Sequence, residues 1–256
     1  MTQAKRSILV TNDDGITAPG IAHLVEVAKQ FGNVVVVAPD SPQSGMGHAV
    51  TISKPIRLEK VNEFEGVESY QCSGTPADCV KLAVDQVYHH KPDLILSGIN
   101  HGSNASINVL YSGTMSAAVE GAIEGIPSIG FSLMDYARNA NFLPGIPFIT
   151  SIVASVIENG LTDGTLLNVN IPVGEAHELK GIKICRQAKA KWDENFEARK
   201  DPHGRDYYWM VGNFNDYDHG HDTDLWALKN KYVSIVPTQF DMTAHHMIGH
   251  LNTWEF

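Results

Sequence analysis

The stretch Ser7-Ile8-Leu9-Val10-Thr11-Asn12-Asp13-Asp14-Gly15 decides the fold, because an apolar run leads directly into two adjacent acidic residues. Residues 7–11 predict a buried strand, and the apolar spacing after Pro19 predicts a helix. A strand followed by a helix is typical of parallel α/β sheets, which bind ligands at the carboxyl ends of their strands. We therefore expect Asp13 and Asp14 to lie in a binding crevice, although Asn, Asp and Gly also form turns that bind nothing.

Four further apolar runs extend this pattern along the first two-thirds of the chain. They cover residues 34–38, 93–97, 128–133 and 166–170. Apolar strands separated by helices indicate a mostly parallel sheet with helices on both faces. Thr75-Pro76-Ala77-Asp78 predicts the start of one of these helices, with Thr75 as N-cap and Asp78 completing a capping box. The prediction is an α/β core over residues 1–185.

The pattern changes after residue 185. Charged and aromatic residues alternate from Arg186 to Asp224 without a helical period, which suits an extended hairpin or arm. Its aromatic residues include Trp192, Phe196, Tyr207, Tyr208 and Trp209. Residues 239–251 predict a terminal helix. We interpret residues 186–256 as a C-terminal appendage, and we expect a second subunit to cover its exposed aromatic side chains.

Composition narrows the class of protein. The chain has 256 residues, of which 43% are hydrophobic, enough to bury a substantial core. No signal sequence or membrane-spanning run is present, and the three cysteines form no CxxC pair, so we expect a cytoplasmic protein with reduced thiols and no membrane partner. The net charge of −10 argues against binding to a nucleic-acid polymer. A metal and backbone amides would have to neutralise an anionic substrate.

Polar residues follow the predicted strands and suggest a metal site. Ser44 follows the second strand and Asn100 the third. The carboxyl ends of parallel strands lie side by side, so these residues can converge with the two aspartates. The candidate metal ligands are therefore Asp13, Asp14, Ser44 and Asn100. Oxygen donors of this kind suit one Mg²⁺ or Mn²⁺ ion better than zinc, although Ser44 and Asn100 could also serve only as loop hydrogen-bonding residues.

A second motif, Tyr111-Ser112-Gly113-Thr114, opens a predicted helix. The N-terminus of a helix directs free amides and the positive end of its dipole toward an anion, and Gly113 permits close approach. Ordinary N-capping by Ser112 or Thr114 would explain the motif without a ligand. A cation opposite an anion-binding helix terminus is the arrangement that phosphoryl transfer requires.

Other clusters are less specific. The acidic run from Asp216 to Asp224 suits a solvated loop better than a ligand cluster. His245, His246 and His250 could share one helical face, but zinc would need a fourth ligand. The chain contains neither a complete dinucleotide fingerprint nor a Walker A motif.

Several motifs, in order, resemble the SurE family of survival-protein nucleotidases. They are Val10-Thr11-Asn12-Asp13-Asp14-Gly15, Ala18-Pro19-Gly20-Ile21, Val37-Ala38-Pro39-Asp40, Gly74-Thr75-Pro76-Ala77-Asp78-Cys79-Val80, Ser97-Gly98-Ile99-Asn100 and Tyr111-Ser112-Gly113-Thr114. The resemblance covers residues 7–135 and continues more weakly toward the C-terminus. His101 replaces the small residue usual in the family, and Ala105-Ser106-Ile107-Asn108 departs from its usual Leu-Gly and two acids. Both departures surround the expected cleft without removing a candidate ligand, so they bear on which substrate is preferred more than on the reaction.

The resemblance implies a Rossmann-like core and a metal-dependent phosphatase of nucleoside 5′- and 3′-monophosphates, sometimes active on short polyphosphate. It implies one divalent cation per subunit on the four candidate ligands above. The residues that it places around the phosphate are Asn104, Ser112, Gly113 and Thr114. It further implies homodimers or homotetramers that exchange C-terminal segments, in agreement with the aperiodic appendage.

The resulting hypothesis is hydrolysis of a phosphomonoester by metal-activated water, with Asp13, Asp14 and Asn104 as catalytic residues. Either aspartate could orient or deprotonate the water. A haloacid dehalogenase-type enzyme needs two aspartates separated by one residue, which the adjacent pair does not provide. The remaining alternative is a non-catalytic, nucleotide-binding regulatory protein, which would bind nucleotide without releasing phosphate.

Overall fold

The computed structural model describes residues 5–137 and 139–255. Its strands are β1 (Arg6–Thr11), β2 (Gly32–Pro39), β3 (Leu58–Val61), β4 (Glu68–Cys72), β5 (Leu94–His101), β6 (Ser128–Leu133), β7 (Thr165–Ile171), β8 (Ile182–Ile184), β9 (Ala190–Lys200), β10 (Asp206–Asp216) and β11 (Val233–Gln239). Its α-helices are α1 (Pro19–Ala28), α2 (Pro76–Leu82), α3 (Gly113–Ile123), α4 (Ile146–Asn159), α5 (Asp224–Lys229) and α6 (His245–Leu251). Short helical turns cover Ala83–Tyr88, Ser106–Leu110 and Leu143–Gly145.

The described strands form a nine-stranded sheet in the order β3-β4-β2-β1-β5-β6-β7-β11-β8, and β9 and β10 form a separate hairpin. Pairing is parallel from β4 to β7, whereas β3 joins β4 and β11 joins β7 in antiparallel fashion. The five predicted strands correspond to β1, β2, β5, β6 and β7. The predicted mostly parallel α/β sheet is therefore confirmed.

Alternate side chains of β1 point to opposite faces of the sheet. Ile8 and Val10 belong to the apolar cluster that α1 and α4 cover. Leu9 belongs to the second cluster, which Val80 of α2 and Ala117 of α3 help to form. The prediction of helices on both faces is thus confirmed, and the two layers leave the carboxyl ends of the parallel strands open to a ligand.

The hairpin and the terminal helix follow the sequence prediction, with one change of boundary. β9 and β10 pair in register from Ala190 opposite Asp216 to Lys200 opposite Asp206. The helix predicted over residues 239–251 begins only at His245, because Gln239 is hydrogen-bonded into the sheet opposite Thr165. That last pairing belongs to β11, which the sequence analysis did not predict.

β11 shows that the main sheet is not confined to residues 1–185, since this strand comes from the segment 186–256 and lies between β7 and β8. The division of the chain at residue 185 stays a prediction about its folding units. Cys72, Cys79 and Cys185 are buried free thiols. No helix in the described part of the chain is long and apolar enough to span a membrane.

Candidate metal and phosphate site

A cavity of about 630 Å³ lies at the carboxyl ends of the parallel strands. The predicted site residues among those that line it are Asp13, Ser44, Asn100, Asn104 and Ser112. The structure therefore brings together residues that follow β1, follow β2, or lie between the end of β5 and the start of α3. Asp14, Gly113 and Thr114 do not line the cavity, and each contacts a residue that does.

Asp13 lies at the junction of β1 and α3. Its side chain is only 3% exposed, and its Oδ1 accepts a hydrogen bond from the Thr114 hydroxyl. A Cβ at Gly113 would lie 2.6 Å from the Asp13 Cβ, so the glycine allows α3 to begin against this carboxylate. Burial, together with the negative charge of Asp14, raises the pKa of Asp13 to about 6, against the opposing effect of the Thr114 hydrogen bond.

Asp14 is held by the residue that follows Asn100. Its Oδ2 accepts a hydrogen bond of 3.2 Å from the His101 backbone N–H and lies 3.1 Å from Nδ1 of the same histidine. The His101 ring packs edge-on against Phe142, with ring centroids 5.0 Å apart. The two aspartates thus have different neighbours, since one contacts α3 and the other contacts the end of β5.

Asn100 and Ser44 supply the other candidate oxygen donors. The Asn100 amide nitrogen donates to the Gly102 carbonyl at 2.8 Å, which leaves the amide oxygen as the donor for a cation. Ser44 is brought near Asp13 by its neighbour, because the Gln43 N–H donates to the Asp13 carbonyl at 2.7 Å. Hydrogen bonds to main-chain carbonyls therefore help to hold Asn100 and the Ser44 loop at the cavity, which both residues line.

The loop that carries Ser44 is anchored to α2 by the predicted capping box. Asp78 accepts hydrogen bonds from the Thr75 N–H at 2.9 Å and from the Thr51 N–H at 3.1 Å. The Thr75 hydroxyl donates to the Ala49 carbonyl at 2.7 Å. The motif that predicted only the start of a helix therefore also fixes the loop.

A buried carboxylate on α3 anchors the same loop. Glu120 is 2% exposed and binds both His48, at 2.8 Å, and Lys81. Burial raises the pKa of Glu120, but hydrogen bonds from His48 and Lys81 outweigh that effect and lower it overall. Sequence reasoning missed this role, which an acidic residue on an otherwise apolar helix could have signalled.

The first turn of α3 forms the other half of the site. Ser112 is the N-cap, and its hydroxyl oxygen accepts from the Met115 N–H at 3.0 Å, so its own hydrogen is free for a ligand. The amides of Gly113 and Thr114 belong to the first turn, where helical geometry provides no acceptor. The Thr114 hydroxyl is engaged by Asp13, so this residue can bind an anion only through its backbone.

Asn104 is held at its main chain and its side chain. Its N–H donates to Oδ1 of Asn170 at 2.7 Å, and its carbonyl accepts from Nδ2 of Asn168 at 2.9 Å. Its side-chain amide binds the Ser132 hydroxyl at 2.8 Å. Sequence reasoning missed these three partners. The signal was the polar alternation Asn168-Val169-Asn170 in an otherwise apolar strand, which places both asparagines on one face.

The donor set fits a hard divalent cation. Within residues 5–137 and 139–255, no group of three or more His, Cys, Asp or Glu side chains could hold a metal ion, so the described chain offers no zinc-type cluster. The site instead combines two carboxylates with an amide oxygen and a hydroxyl, the donors that Mg²⁺ and Mn²⁺ prefer. Burial and the neighbouring Asp14 disfavour the negative charge of Asp13, and a bound cation would compensate that charge.

The less specific clusters have other partners. Asp218 and Asp222 both pair with Arg186, in contacts of 2.5 and 2.9 Å. His245 pairs with Asp241 at 2.8 Å on the exposed surface of α6. Asp218, Asp222 and His245 are thus engaged by partners other than a metal ion.

The β9–β10 hairpin builds the far wall of the cavity. Its contributing residues are Trp192, Glu194, Met210, Val211 and Gly212. Nε1 of Trp192 donates to Oδ1 of Asn108 at 2.8 Å, which ties the hairpin to the loop after β5. The sequence predicted a role for the hairpin only in assembly, and its place in the wall of the site was not predicted.

The fold and the site define an α/β protein with a polar cleft at the carboxyl ends of its parallel strands. The family model described as Survival protein SurE matches residues 8–194, and the chain therefore belongs to the SurE family. Two similar relatives are each named 5′-nucleotidase SurE. The protein from Flavobacterium psychrophilum is 60% identical and that from Christiangramia forsetii 61%, over 98% and 99% of this chain and 98% of each relative.

The fold has a solved counterpart in the same family. The crystal structure of the SurE protein from Aquifex aeolicus superimposes with a TM-score of 0.83 at 40% sequence identity. The match covers 96% of this chain and 98% of that one. The similarity therefore extends over nearly the whole of both chains.

Proposed function

We propose that this protein is a 5′-nucleotidase, a phosphomonoesterase that releases phosphate from nucleoside 5′-monophosphates in the presence of one divalent cation. The relatives that carry this name match it along nearly their whole length. The observation that carries the proposal is the position of Asp13, which contacts the first turn of α3 through Thr114. A carboxylate for a cation and the amides for a phosphate thus lie side by side.

Asp13, Asp14, Ser44 and Asn100 would hold the cation through oxygen atoms. When bound, Mg²⁺ or Mn²⁺ polarises a phosphoryl oxygen and lowers the pKa of a bound water. Oδ2 of Asp14 is held by His101, which fixes the orientation of this carboxylate at the edge of the site. One of the two aspartates also orients or deprotonates the attacking water.

The phosphate would be bound by the Ser112 hydroxyl, the amides of Gly113 and Thr114, and the side chain of Asn104. A phosphate oxygen needs a donor, and Nδ2 of Asn104 carries two hydrogens, one of which it donates to the Ser132 hydroxyl at 2.8 Å. The second hydrogen of Nδ2 is the one that Asn104 would offer to a phosphate oxygen. These donors stabilise charge on the phosphoryl oxygens as the ester bond breaks.

The nucleoside would occupy the outer part of the cavity. A volume of about 630 Å³ is in the range of small-molecule sites, and the aromatic side chains of Tyr111, Tyr136 and Trp192 line it. We extend the proposal to 3′-monophosphates and short polyphosphate, because all present the same terminal phosphate to the first turn of α3.

The assembly that we propose is a homodimer or homotetramer that exchanges C-terminal segments. Phe196 and Met210 on the hairpin are each 63% exposed, and no residue of α6 is buried. Large apolar side chains on an extended arm favour a partner surface, and a second copy of the chain supplies one by symmetry.

Phosphate release from a panel of nucleoside 5′- and 3′-monophosphates and short polyphosphate, with chelator-stripped protein, tests this function. Release should require added Mn²⁺ or Mg²⁺ and should be abolished in Asp13→Asn. The matched control is Asp40→Asn, an exposed aspartate after the neighbouring strand β2. Nucleotide binding without phosphate release would instead favour a regulatory protein.

A further inference from the structure

Three buried polar residues converge on Asn104 from the middle of the sheet. Ser132 and Asn170 are fully buried, and Asn168 is 2% exposed. Buried amides and hydroxyls are unfavourable unless they are hydrogen-bonded, so polar side chains at three such positions need a reason. Here each of them contacts Asn104, and together they leave the loop after β5 little freedom to move.

The contacts form a connected chain of hydrogen bonds. Oδ1 of Asn170 accepts from the Asn104 N–H at 2.7 Å, and its Nδ2 donates to Oδ1 of Asn168 at 2.9 Å. Nδ2 of Asn168 then donates to the Asn104 carbonyl at 2.9 Å. The two asparagines therefore satisfy both main-chain groups of Asn104 and also orient each other.

The third member acts on the side chain. Ser132 is the register partner of Asn100 on one side and of Asn170 on the other. Its hydroxyl binds the side-chain amide of Asn104 at 2.8 Å. Asn100, Ser132 and Asn170 thus lie side by side on three neighbouring strands. Asn100 is a candidate metal ligand, Ser132 contacts the Asn104 side chain, and Asn170 accepts from the Asn104 N–H.

We propose that Ser132, Asn168 and Asn170 form a clamp of positioning residues that holds the Asn104 side chain in place for the phosphate. The inference rests on the proposed role of Asn104. None of the three is among the residues that line the cavity, and their polar groups contact Asn104, one another and the Ser103 hydroxyl. Their effect is to reduce the reorganisation that Asn104 undergoes when an anion binds.

Ser132→Ala tests the clamp with the smallest change in volume. Ser234→Ala is the matched control, because Ser234 is fully buried, lies opposite Asn170 on β11, and its hydroxyl has no hydrogen-bond partner among the described residues. The dissociation constant of inorganic phosphate, measured by equilibrium dialysis with saturating Mn²⁺, should rise about tenfold in Ser132→Ala, in line with the effect of other supporting residues. It should change less than about twofold in the control.

A double-mutant cycle separates positioning from general structure. In an Asn104→Ala background, Ser132→Ala should change phosphate affinity less than about twofold, since the group that it positions is gone. Asn170→Ala is a second probe, because it removes the acceptor of the Asn104 N–H and should also weaken phosphate binding. The clamp is refuted if Ser132→Ala behaves like Ser234→Ala, or if its full effect persists without Asn104.

Wild-type behaviour distinguishes this inference from the proposed function. If the wild type binds inorganic phosphate but releases none from nucleotides, the nucleotidase proposal fails and the cycle still decides whether the clamp exists. If the wild type turns over nucleotides and Ser132→Ala binds phosphate normally, the clamp fails and the function stands. A wild type that binds no phosphate overturns both.

Discussion

The hydroxyl of Thr114 donates a hydrogen bond to Oδ1 of Asp13 and thereby joins the first turn of α3 to the carboxyl end of β1. This contact joins the two halves of the candidate site, because Asp13 is a candidate metal ligand and Thr114 would supply an amide to the phosphate. A side-chain hydrogen bond therefore links the first turn of α3 directly to a candidate metal ligand.

Removal of this hydroxyl should weaken metal binding. Thr114→Val keeps the shape of the side chain but removes the donor that lowers the pKa of Asp13. The cation must then displace a more tightly held proton near neutral pH, and we expect its affinity to fall about 10- to 100-fold. Calorimetric titration with Mn²⁺ measures the change. Thr114→Ser retains the hydroxyl and should bind nearly as the wild type does; equal affinities for both variants would contradict this role.

The Asp13 carboxylate should destabilise the metal-free protein above pH 6. Its pKa is raised from 3.8 to about 6 in the folded state, so the folded protein binds this proton more tightly than the unfolded chain. The resulting stabilisation is complete below pH 3.8 and is lost as the pH rises through 6. At pH 8, Asp13→Asn should therefore raise the free energy of unfolding by about 2 to 3 kcal/mol.

Urea unfolding in chelator at pH 8 and pH 4 checks this sign. The difference in the free energy of unfolding between Asp13→Asn and the wild type should nearly vanish at pH 4, where the wild-type carboxyl is protonated in the folded state. Saturating Mn²⁺ should restore the stability of the wild type and not change that of the variant. A variant that is less stable than the wild type at pH 8 would be inconsistent with a strained carboxylate.

Asp78 should contribute to stability and to metal binding at once. Asp78→Ala removes the capping box of α2 and the acceptor of the Thr51 N–H. We expect the free energy of unfolding to fall by about 2 kcal/mol. The affinity for Mn²⁺ should fall as well, because the loop that carries Ser44 loses an anchor.

Asp78→Asn, which keeps one acceptor oxygen, is the control for this prediction. It should lose less stability than Asp78→Ala in the same urea titration. If Asp78→Ala lost stability while Mn²⁺ affinity stayed unchanged, the capping box would support α2 alone and not the metal site.

The exposed face of the hairpin should determine the oligomeric state. Phe196 and Met210 lie directly opposite each other on β9 and β10. Replacement of both by Lys places two charges on the proposed contact and should shift the protein to smaller assemblies in sedimentation velocity experiments. Glu197→Lys, at the next position on β9, changes the charge but leaves the apolar face and should keep the wild-type assembly. A wild type that sediments as a monomer would count against the proposed exchange.

Local patterns in the sequence account for much of the fold. The buried strands, the capped start of α2 and the N-cap of α3 depend on residues close to one another in the chain, and their periodicity and caps are readable directly. β3, β4, β8 and β11 escaped prediction because edge and mixed strands have short or irregular patterns. β11 is the clearest example of an unpredicted strand, because its partners on β7 lie far away in sequence.

The same distinction between local patterns and distant contacts applies to the candidate site. The adjacent aspartates, Ser44, Asn100 and the helix-opening motif could be read from the sequence, because each follows a recognisable strand or opens a helix. The contacts that hold Asn104 could not, since Asn170 lies 66 residues away and Ser132 lies 28 residues away. The same holds for the wall of the cavity that the hairpin supplies. Such contacts depend on the order in which strands pair and on which faces the apolar clusters bury, and no local pattern encodes either.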